Sequence, residues 1–487
     1  MSKVIIIGGG ISGLTAGIKL LNAGHQVTLI EKNKDVGGLC SGYFVDGFLV
    51  DTCIHWLMGT KKGNFINDLW REIGGLGRKV KIISLPTLGT IEYEGVSVTF
   101  YRDLDKAEKE WINISPKDKR AIHRFFSAVK NVGGLMNIML GDRLRKVSVL
   151  QFIKGLPNSR HILKSMKQSR EEYAKNFSHP ALRYAITHCQ TGYNNMFFFF
   201  DLYSIFAQGN ADVPEGGAYY LKERIKDNFI SLGGKLLLGA TAKEIEPYNN
   251  YESVRVKTSK GVVIGDYCIS AIDPYYTLDK LLDGRYPVPQ FERKKKAIDK
   301  NTISSCFNVY VTIEGDLSKI DVPTGLHISP IKVGSQEVDF MLMRSYHFDK
   351  KHFVKDGKTV VSLFIDQNQD DYNYFNSLSK DEYTQESQRI IKNMIEAVEE
   401  RYPEFKGKIN YLSHFSPIEI SKRVNTSYGS FQSFSFTDKG TFYINNGKIK
   451  DCPNVFLCGQ WTRSIGGTPT ALLSAHNVCR YIPKSLK

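Results

Sequence analysis

Cysteine is sparse in this chain of 487 residues, and it is scattered. The eight cysteines stand singly at positions 40, 53, 189, 268, 306, 452, 458 and 479. No Cys-x-x-Cys pair occurs and no His/Cys group has zinc spacing, so neither a disulfide framework nor a metal site is expected. Long apolar runs are missing too. No stretch of about 18 apolar residues is present, which excludes a bilayer-spanning helix of ordinary kind. An apolar strand beginning at Lys3 leaves no room for a signal peptide ahead of it, and a reducing cytoplasm is the expected location. Internal repeats and low-complexity linkers are also lacking, which argues against flexibly tethered modules.

The chain has an ordinary share of apolar (42%) and charged (24%) residues for a folded protein with a large core. Its 28 Phe and 25 Tyr lean towards a large apolar or planar ligand, and a big core would explain them equally. Acidic residues run short, with 50 Asp+Glu against 65 Lys+Arg and a net charge of +15. The imbalance is concentrated between Lys117 and Arg170, where 13 Lys/Arg face two acids, Asp118 and Asp142.

Residues 4–7 form a short β-branched run, the mark of a buried parallel strand. Gly8-Gly9-Gly10-Ile11-Ser12-Gly13 follows with the spacing G-x-G-x-x-G. Gly8 permits the tight turn, Gly10 lets a pyrophosphate approach the backbone, and Gly13 lets the next helix pack close to the strand. That helix carries Leu14, Ile18 and Leu21 on one face, ends at Gly24, and aims its N-terminus at the phosphates. A second strand, Val27–Ile30, runs into Glu31, whose carboxylate suits the hydroxyls of an adenosine ribose, with Lys32 beside it. Gly37-Gly38-Leu39 stands six residues beyond Glu31, a second glycine pair that lets the chain double back over the phosphates. Flavoproteins of the glutathione-reductase-like class carry this extension, so FAD is preferred over NAD.

The other half of the site is expected near the opposite end of the chain. Residues 454–458 read as a buried strand entering Gly459, followed by Gln460. Gly466-Gly467-Thr468-Pro469-Thr470 then opens a helix, with Thr468 as N-cap and Pro469 in its first position. Its dipole would favour a reduced, anionic flavin. A plain C-terminal helix after a glycine loop is the alternative. No second G-x-G-x-x-G marks a separate nicotinamide site.

With both ends located, the chain resembles the phytoene desaturase family, which includes carotenoid isomerases and retinol saturases and is related in fold to amine oxidases. Residues 46–51 resemble the strand after the glycine pair, and Pro214-Glu215-Gly216-Gly217 the turn that opens the central helix. Gly233-Gly234-Lys235, residues 269–274, Pro417 with Arg423 and Gly429, and residues 459–471 complete the likeness. It covers nearly the whole chain, and its FAD motifs are specific while its substrate motifs are not. Gln460 departs from the Asp that flavoproteins of this fold often place there for a ribityl hydroxyl.

The fold class expected is α/β: a Rossmann-type, glutathione-reductase-like FAD domain with a mixed-sheet and helical substrate domain. The FAD domain would be discontinuous, from 1–75, 215–285 and 440–487, with 76–214 and 286–439 forming the substrate domain. Gly234–Ala240 and Val254–Thr258 would pair on the adenine side across a link at Pro247–Glu252. Ser305–Thr312 and Thr359–Ile365 read as sheet strands, and Lys380–Arg401 as an amphipathic helix.

Flavin chemistry leaves orientation to the protein, so no nucleophile triad is required. His55 follows the strand at Asp51 and could donate a proton or be structural. Arg423 could anchor a carboxylate, face the isoalloxazine or form a plain ion pair. Tyr428 could donate a proton or line the cavity. Met196–Phe200 could line a lipid tunnel or sit in the core. In 117–170, Ile122, Phe125, Phe126, Val129, Val132, Leu135, Met136, Met139 and Leu140 recur at helical spacing between basic residues. This suits an in-plane helix on an anionic membrane surface, bent at Gly133-Gly134 and flanked by Arg143, Arg145 and Lys146, or a stripe packed on the protein's own core. No nucleic-acid motif accompanies the charge. Oligomeric state is not legible.

Three functions compete: an FAD enzyme acting on C–C double bonds of a hydrophobic lipid such as a carotenoid, retinoid or unsaturated acyl chain; an amine or porphyrinogen oxidase; and a non-catalytic prenyl- or lipid-binding protein. The intact Glu31 and Gly37-Gly38 oppose the last.

Overall fold

The strand Lys3–Ile7 (β1) is apolar on both faces and buried from Val4 onward, which fits it to the interior of a parallel sheet. In a computed structural model, which describes residues 1–132, 159–189, 195–298, 303–434, 443–464 and 466–483, β1 is the centre of a five-stranded sheet. Its partners are Gln26–Ile30 (β2), Lys235–Leu237 (β3), Tyr267–Ser270 (β4) and Val455–Leu457 (β5), ordered β3-β2-β1-β4-β5 and all parallel. Three segments far apart in sequence therefore build one layer. The helices Ile11–Asn22 (α1), Gly217–Ser231 (α2) and Thr468–Cys479 (α3) pack together beside it. Gly17 permits the close approach of α1 and α2, because a Cβ there would lie 2.5 Å from the Phe229 ring.

Lys235–Leu237 joins this parallel sheet beside β2 and does not pair with Val254–Thr258, correcting the expected strand pair. Ser253–Thr258 instead pairs with Ala242–Tyr248 and Gly261–Gly265 in a separate antiparallel sheet. Pro247 lies inside the strand Ala242–Tyr248 rather than in a link. That strand is at the sheet edge, where a residue without an N–H is tolerated.

A second layer is an eight-stranded sheet. Its path runs Ile409–Phe415, Ser305–Glu314, Lys358–Gln367, Gln336–Ser345, Thr324–Val333, Thr87–Tyr93, Val96–Tyr101, with Val354–Lys355 added to the side. All its pairs are antiparallel except Thr324–Val333 with Thr87–Tyr93. Ser305–Ile313 is buried on both faces. Phe307, Val309 and Val311 pack in the core beneath Lys380–Arg401, a helix started by the Ser379/Glu382 capping box.

The helix Lys119–Val132 corrects the membrane reading of its stripe. Ile122, Phe125, Phe126, Val129 and Val132 are fully buried. Phe125 packs against Trp111, Phe200 and Tyr203, with centroids 4.9, 5.5 and 6.4 Å away. The apolar face is thus consumed by the protein's own core. Two of the basic residues are also engaged, Lys130 with Asp105 at 2.8 Å and His123 with Glu108. Gly133 to Lys146, with the rest of the proposed stripe, lie outside the described residues. Met196–Ala207 is mostly apolar, with Asp201 and Ser204 as exceptions, and is buried through Phe206, as expected of an interior helix.

Asp51 ties the turn that follows the strand Phe48–Asp51 to α2. Its Oδ1 accepts the N–H groups of Cys53 and Ile54, both at 2.8 Å, and its Oδ2 accepts that of Ala218 at 2.7 Å. The last bond places a buried carboxylate at the N-terminus of α2, where the helix dipole favours it. Gly217, at φ +58°, leaves the room: a Cβ there would stand 1.9 Å from Asp51 Oδ2. Gly217→Ala is therefore expected to cost about 3 kcal/mol or more in denaturant unfolding, because it breaks a buried network. Gly233→Ala, also at positive φ but with nothing within 4 Å, should cost only about 1–2 kcal/mol.

Candidate functional site

A cavity of about 340 Å3 opens beyond the carboxyl ends of β1, β2, β4 and β5, reached by Ile7, Ile30, Ala271 and Gly459. Ligands of open parallel sheets sit at such ends. Gly8, Gly10, Ile11 and Ser12 line the cavity at the start of α1. Glu31, Lys32, Gly37, Gly38 and Leu39 line it after β2. Gly459, Gln460, Gly467, Thr468 and Thr470 line it from the C-terminal side, and His55 and Arg423 from the substrate side. Of the residues singled out in the sequence, Gly13 and Tyr428 are not in the wall. Gly13 has a packing role, since a Cβ there would fall 1.9 Å from the Gly8 carbonyl oxygen. Tyr428, at φ +54°, lines a separate cavity and meets Tyr372 edge-on at 5.6 Å, which corrects its assignment to the reacting site.

The loop geometry has local causes. Glu31 is buried; its Oε2 accepts Gly9 N–H at 2.7 Å and its Oε1 accepts Asn33 N–H at 2.8 Å. Gly37 N–H donates to the Gly9 carbonyl at 2.8 Å, folding the second glycine pair onto the first. At the far side, Gln460 Oε1 accepts Gly467 N–H at 3.1 Å, and Gly459 N–H donates to Ser474 Oγ at 2.8 Å. Gln460 thus spends its oxygen on holding the helix entry and keeps its amide N–H groups for a ligand. The N-cap of α3 is Gly467 rather than Thr468, with φ +94°.

Two observations say that a large anionic group fits here. No side chain caps the N-terminus of either α1 or α3, and both open on this cavity. Asn64, Asp103, Ser379 and Ser416, by contrast, cap their own helices. The exposed N–H groups and dipole ends form a ready anion site. Gly10 is the second sign. Its backbone (φ −72°) suits any residue, and a Cβ would meet nothing within 4 Å. The protein's own packing does not require glycine there; a close-approaching phosphate would.

The remaining wall is apolar and aromatic. Phe198, Leu202 and Ile205 come from Met196–Ala207, at i, i+4 and i+7. Phe197, Phe199 and Phe200 stay in the core, so the aromatic run supplies one lining residue out of four. Cys306, Asn308 and Tyr310 present one face of a strand, and Phe364, Phe415 and Ile420 complete the side. None of these was singled out from the sequence. The alternation 306/308/310 was available as a signal, but both faces of that strand are buried.

Arg423 forms no ion pair among the described residues. It donates to Ser41 Oγ, and its guanidinium lies over Phe415 at 5.3 Å and Tyr43 at 5.8 Å. Burial lowers its pKa, and it faces the cavity. His55 meets Phe364 edge-on at 6.1 Å. Burial first, and then the nearby Arg344 charge, hold its imidazole well below the ordinary value, so it is neutral and not a ready proton donor. Asp51 is pushed up to about 6 by burial, against the pull of its three N–H donors and Arg344.

A dinucleotide cradle at the sheet ends, continuous with an apolar pocket, has counterparts among known proteins. The model of the flavin-containing amine oxidoreductases matches residues 11–483. The chain belongs to that family. The family is one of flavin-containing oxidoreductases, and the fit of Gly10, Glu31 and the two uncapped helices accords with FAD as the cofactor of this chain. It is 23% identical to a lycopene-forming phytoene desaturase of Pseudescherichia vulneris over 98% of both chains. It is 26% identical to prolycopene isomerase 1 of an Oncidium hybrid over 60% of this chain and 52% of that one; it spans about half the length of such relatives. An oxidoreductase structure from Methanosarcina mazei shares the fold, with a TM-score of 0.61 and 14% identity over 98% and 100% of the chains. No described helix is long and apolar enough to cross a membrane.

Two outcomes check the site. Gly10→Ala should change apo-protein stability by no more than about 1 kcal/mol and still abolish retention of FAD through gel filtration. Gly13→Ala should lose both, destabilising by about 3 kcal/mol through overpacking. The second outcome concerns pH. Native His55 resists the proton that the unfolded chain takes up near pH 6.5, so its contribution destabilises the native state as pH falls through about 6.5. Asp51 slopes the opposite way below pH 6, so the comparison is between wild type and His55→Gln. Wild type should lose more denaturant stability between pH 7.5 and 5.5 than the variant.

Proposed function

We propose that this FAD enzyme acts on C–C double bonds of a long hydrophobic lipid, by desaturation, saturation or isomerisation. The observation that carries the reading is the wall of the cavity beyond the dinucleotide cradle, where Phe198, Leu202, Ile205, Phe364, Phe415 and Ile420 meet. Such a surface offers burial to an apolar chain and little to a small cation. The flavin, when bound, supplies hydride chemistry. The protein's part is to strip water from the chain and orient it, with neutral His55 and the stacked Arg423 among the polar groups on this side. Relatives named for phytoene desaturation and prolycopene isomerisation support the same substrate class.

Amine oxidation is the competing reading on this scaffold, and the family name keeps it in view. Against it stands the lining, in which the carboxylate on the substrate side, Asp201, is already partnered within the protein. A non-catalytic binding role has no use for the cradle around Gly10 and Glu31.

Anaerobic addition of long polyenes to the yellow holoprotein should change the flavin absorption near ~450 nm, a property of oxidised flavin bound as in other Rossmann-type sites. Small primary amines should leave it unchanged. Robust hydrogen peroxide formation from a small amine would overturn the lipid reading.

A further inference from the structure

Three side chains on one face of the eight-stranded sheet form a directed chain of hydrogen bonds at the cavity wall. Tyr310 pairs across the strands with Ser362, and Ser362 with Arg344, so the three project from the same face. Asn308, two residues before Tyr310, shares that face. Ser362 Oγ donates to Asn308 Oδ1 at 2.7 Å, and Asn308 Nδ2 donates to Tyr310 Oη at 2.7 Å. In this orientation of the Asn308 amide the phenol oxygen is an acceptor. Its own proton has no acceptor among the described residues, although Tyr310 is only 1% exposed. Asn308 and Tyr310 both line the cavity.

Arg344 adds to the same imbalance. It is 3% exposed, and its Nε and Nη1 have no hydrogen-bond partner among the described residues. Arg344 lies behind the wall rather than in it, so at the cavity itself the Tyr310 hydroxyl is the donor left over among the described residues. Buried donors are almost always satisfied in folded proteins, and an exception at a cavity invites a ligand atom. Around it the wall is apolar: Cys306 and Phe364 flank it in the sheet, and Phe415 meets the Tyr310 ring edge-on at 6.3 Å. A pure hydrocarbon would leave the phenol O–H unsatisfied. A chain ending in oxygen would not.

We propose that Tyr310 anchors the substrate by donating its hydroxyl proton to an oxygen at one end of the unsaturated chain, a hydroxyl, carbonyl or carboxylate. The proposal rests on the lipid reading above and narrows it: the substrate is an oxygenated polyene, held by its polar end with its double bonds in the apolar pocket. Tyr310 is a positioning residue here. Asn308 and Ser362 set the direction in which its proton points, and the charge of Arg344 favours an electron-rich terminus.

The test is equilibrium binding to the holoprotein of three conjugated polyenes of equal length, a hydrocarbon, its terminal alcohol and its terminal carboxylate, followed by quenching of protein fluorescence. Wild type should bind the alcohol and the carboxylate about tenfold more tightly than the hydrocarbon, roughly the worth of one buried hydrogen bond. Tyr310→Phe should retain FAD, bind the hydrocarbon as wild type does, and lose the preference for oxygen. The wild-type ratio needs no variant and stands even if Tyr310→Phe fails to fold. Equal affinity for all three polyenes in wild type, or a preference that survives in Tyr310→Phe, overturns the anchor alone. Failure of every polyene to bind overturns the lipid reading and the anchor with it.

Discussion

The buried carboxylate of Asp51 is the point on which both the central helix beside the nucleotide cradle and the turn to His55 depend. It closes the turn through Cys53 and Ile54 that leads to His55, and it accepts the Ala218 N–H at the start of the helix Gly217–Ser231. An isolated buried charge is costly, and burial does push this group up to about 6. Three N–H donors, a helix dipole and the positive charge of Arg344 offset that cost. The consequence is geometric. The central helix and the turn that leads to His55 share one carboxylate, on which the charge of Arg344, from the strand Gln336–Ser345, also acts.

Burial is the main cause of the neutral state of His55, and the charge of the buried Arg344 adds to it. A second cation beside a buried guanidinium would be repelled as well as desolvated. Of the roles open to His55 at the level of sequence, initial proton donor is the one this arrangement disfavours. What is left is a neutral ring edge-on to Phe364, which can accept a hydrogen bond or fix an aromatic neighbour.

The nucleotide half of the site was legible in the sequence because its chemistry is local. A phosphate-binding turn needs glycine at particular steps between a strand and a helix, and Gly8, Gly10 and Gly13 satisfy that within six residues. Each of the three has its own physical reason in the structure: Gly8 sits at φ +100°, Gly10 leaves open space, and Gly13 lets Gly8 and α1 touch. The substrate half was not legible, because it is assembled from contacts distant in the chain. Cys306, Asn308 and Tyr310 alternate with Phe307, Val309 and Val311, and both sets are buried. Period-two patterning cannot say which face meets a cavity when neither meets water. The stripe on Lys119–Val132 misled for a related reason. Amphipathicity shows that a helix covers something apolar, and a protein's own Trp111 and Phe200 satisfy that as well as a bilayer does.

The two halves of the cavity differ in how they treat hydrogen-bonding groups, and that difference is functional. On the nucleotide side the unsatisfied donors are backbone N–H groups at helix ends, arranged for a polyanion whose position is set by the main chain. Side-chain substitutions there act mainly by filling space, as the open ground beside Gly10 illustrates. On the other side the donor left over among the described residues belongs to a single side chain, Tyr310, set into aromatic and aliphatic surface. A scaffold built this way can hold its cofactor unchanged while its substrate preference moves with one or two residues of the eight-stranded sheet. The cradle is specified by backbone geometry and resists drift; the pocket is specified by side chains on a strand face, and each can be exchanged without disturbing a ladder hydrogen bond.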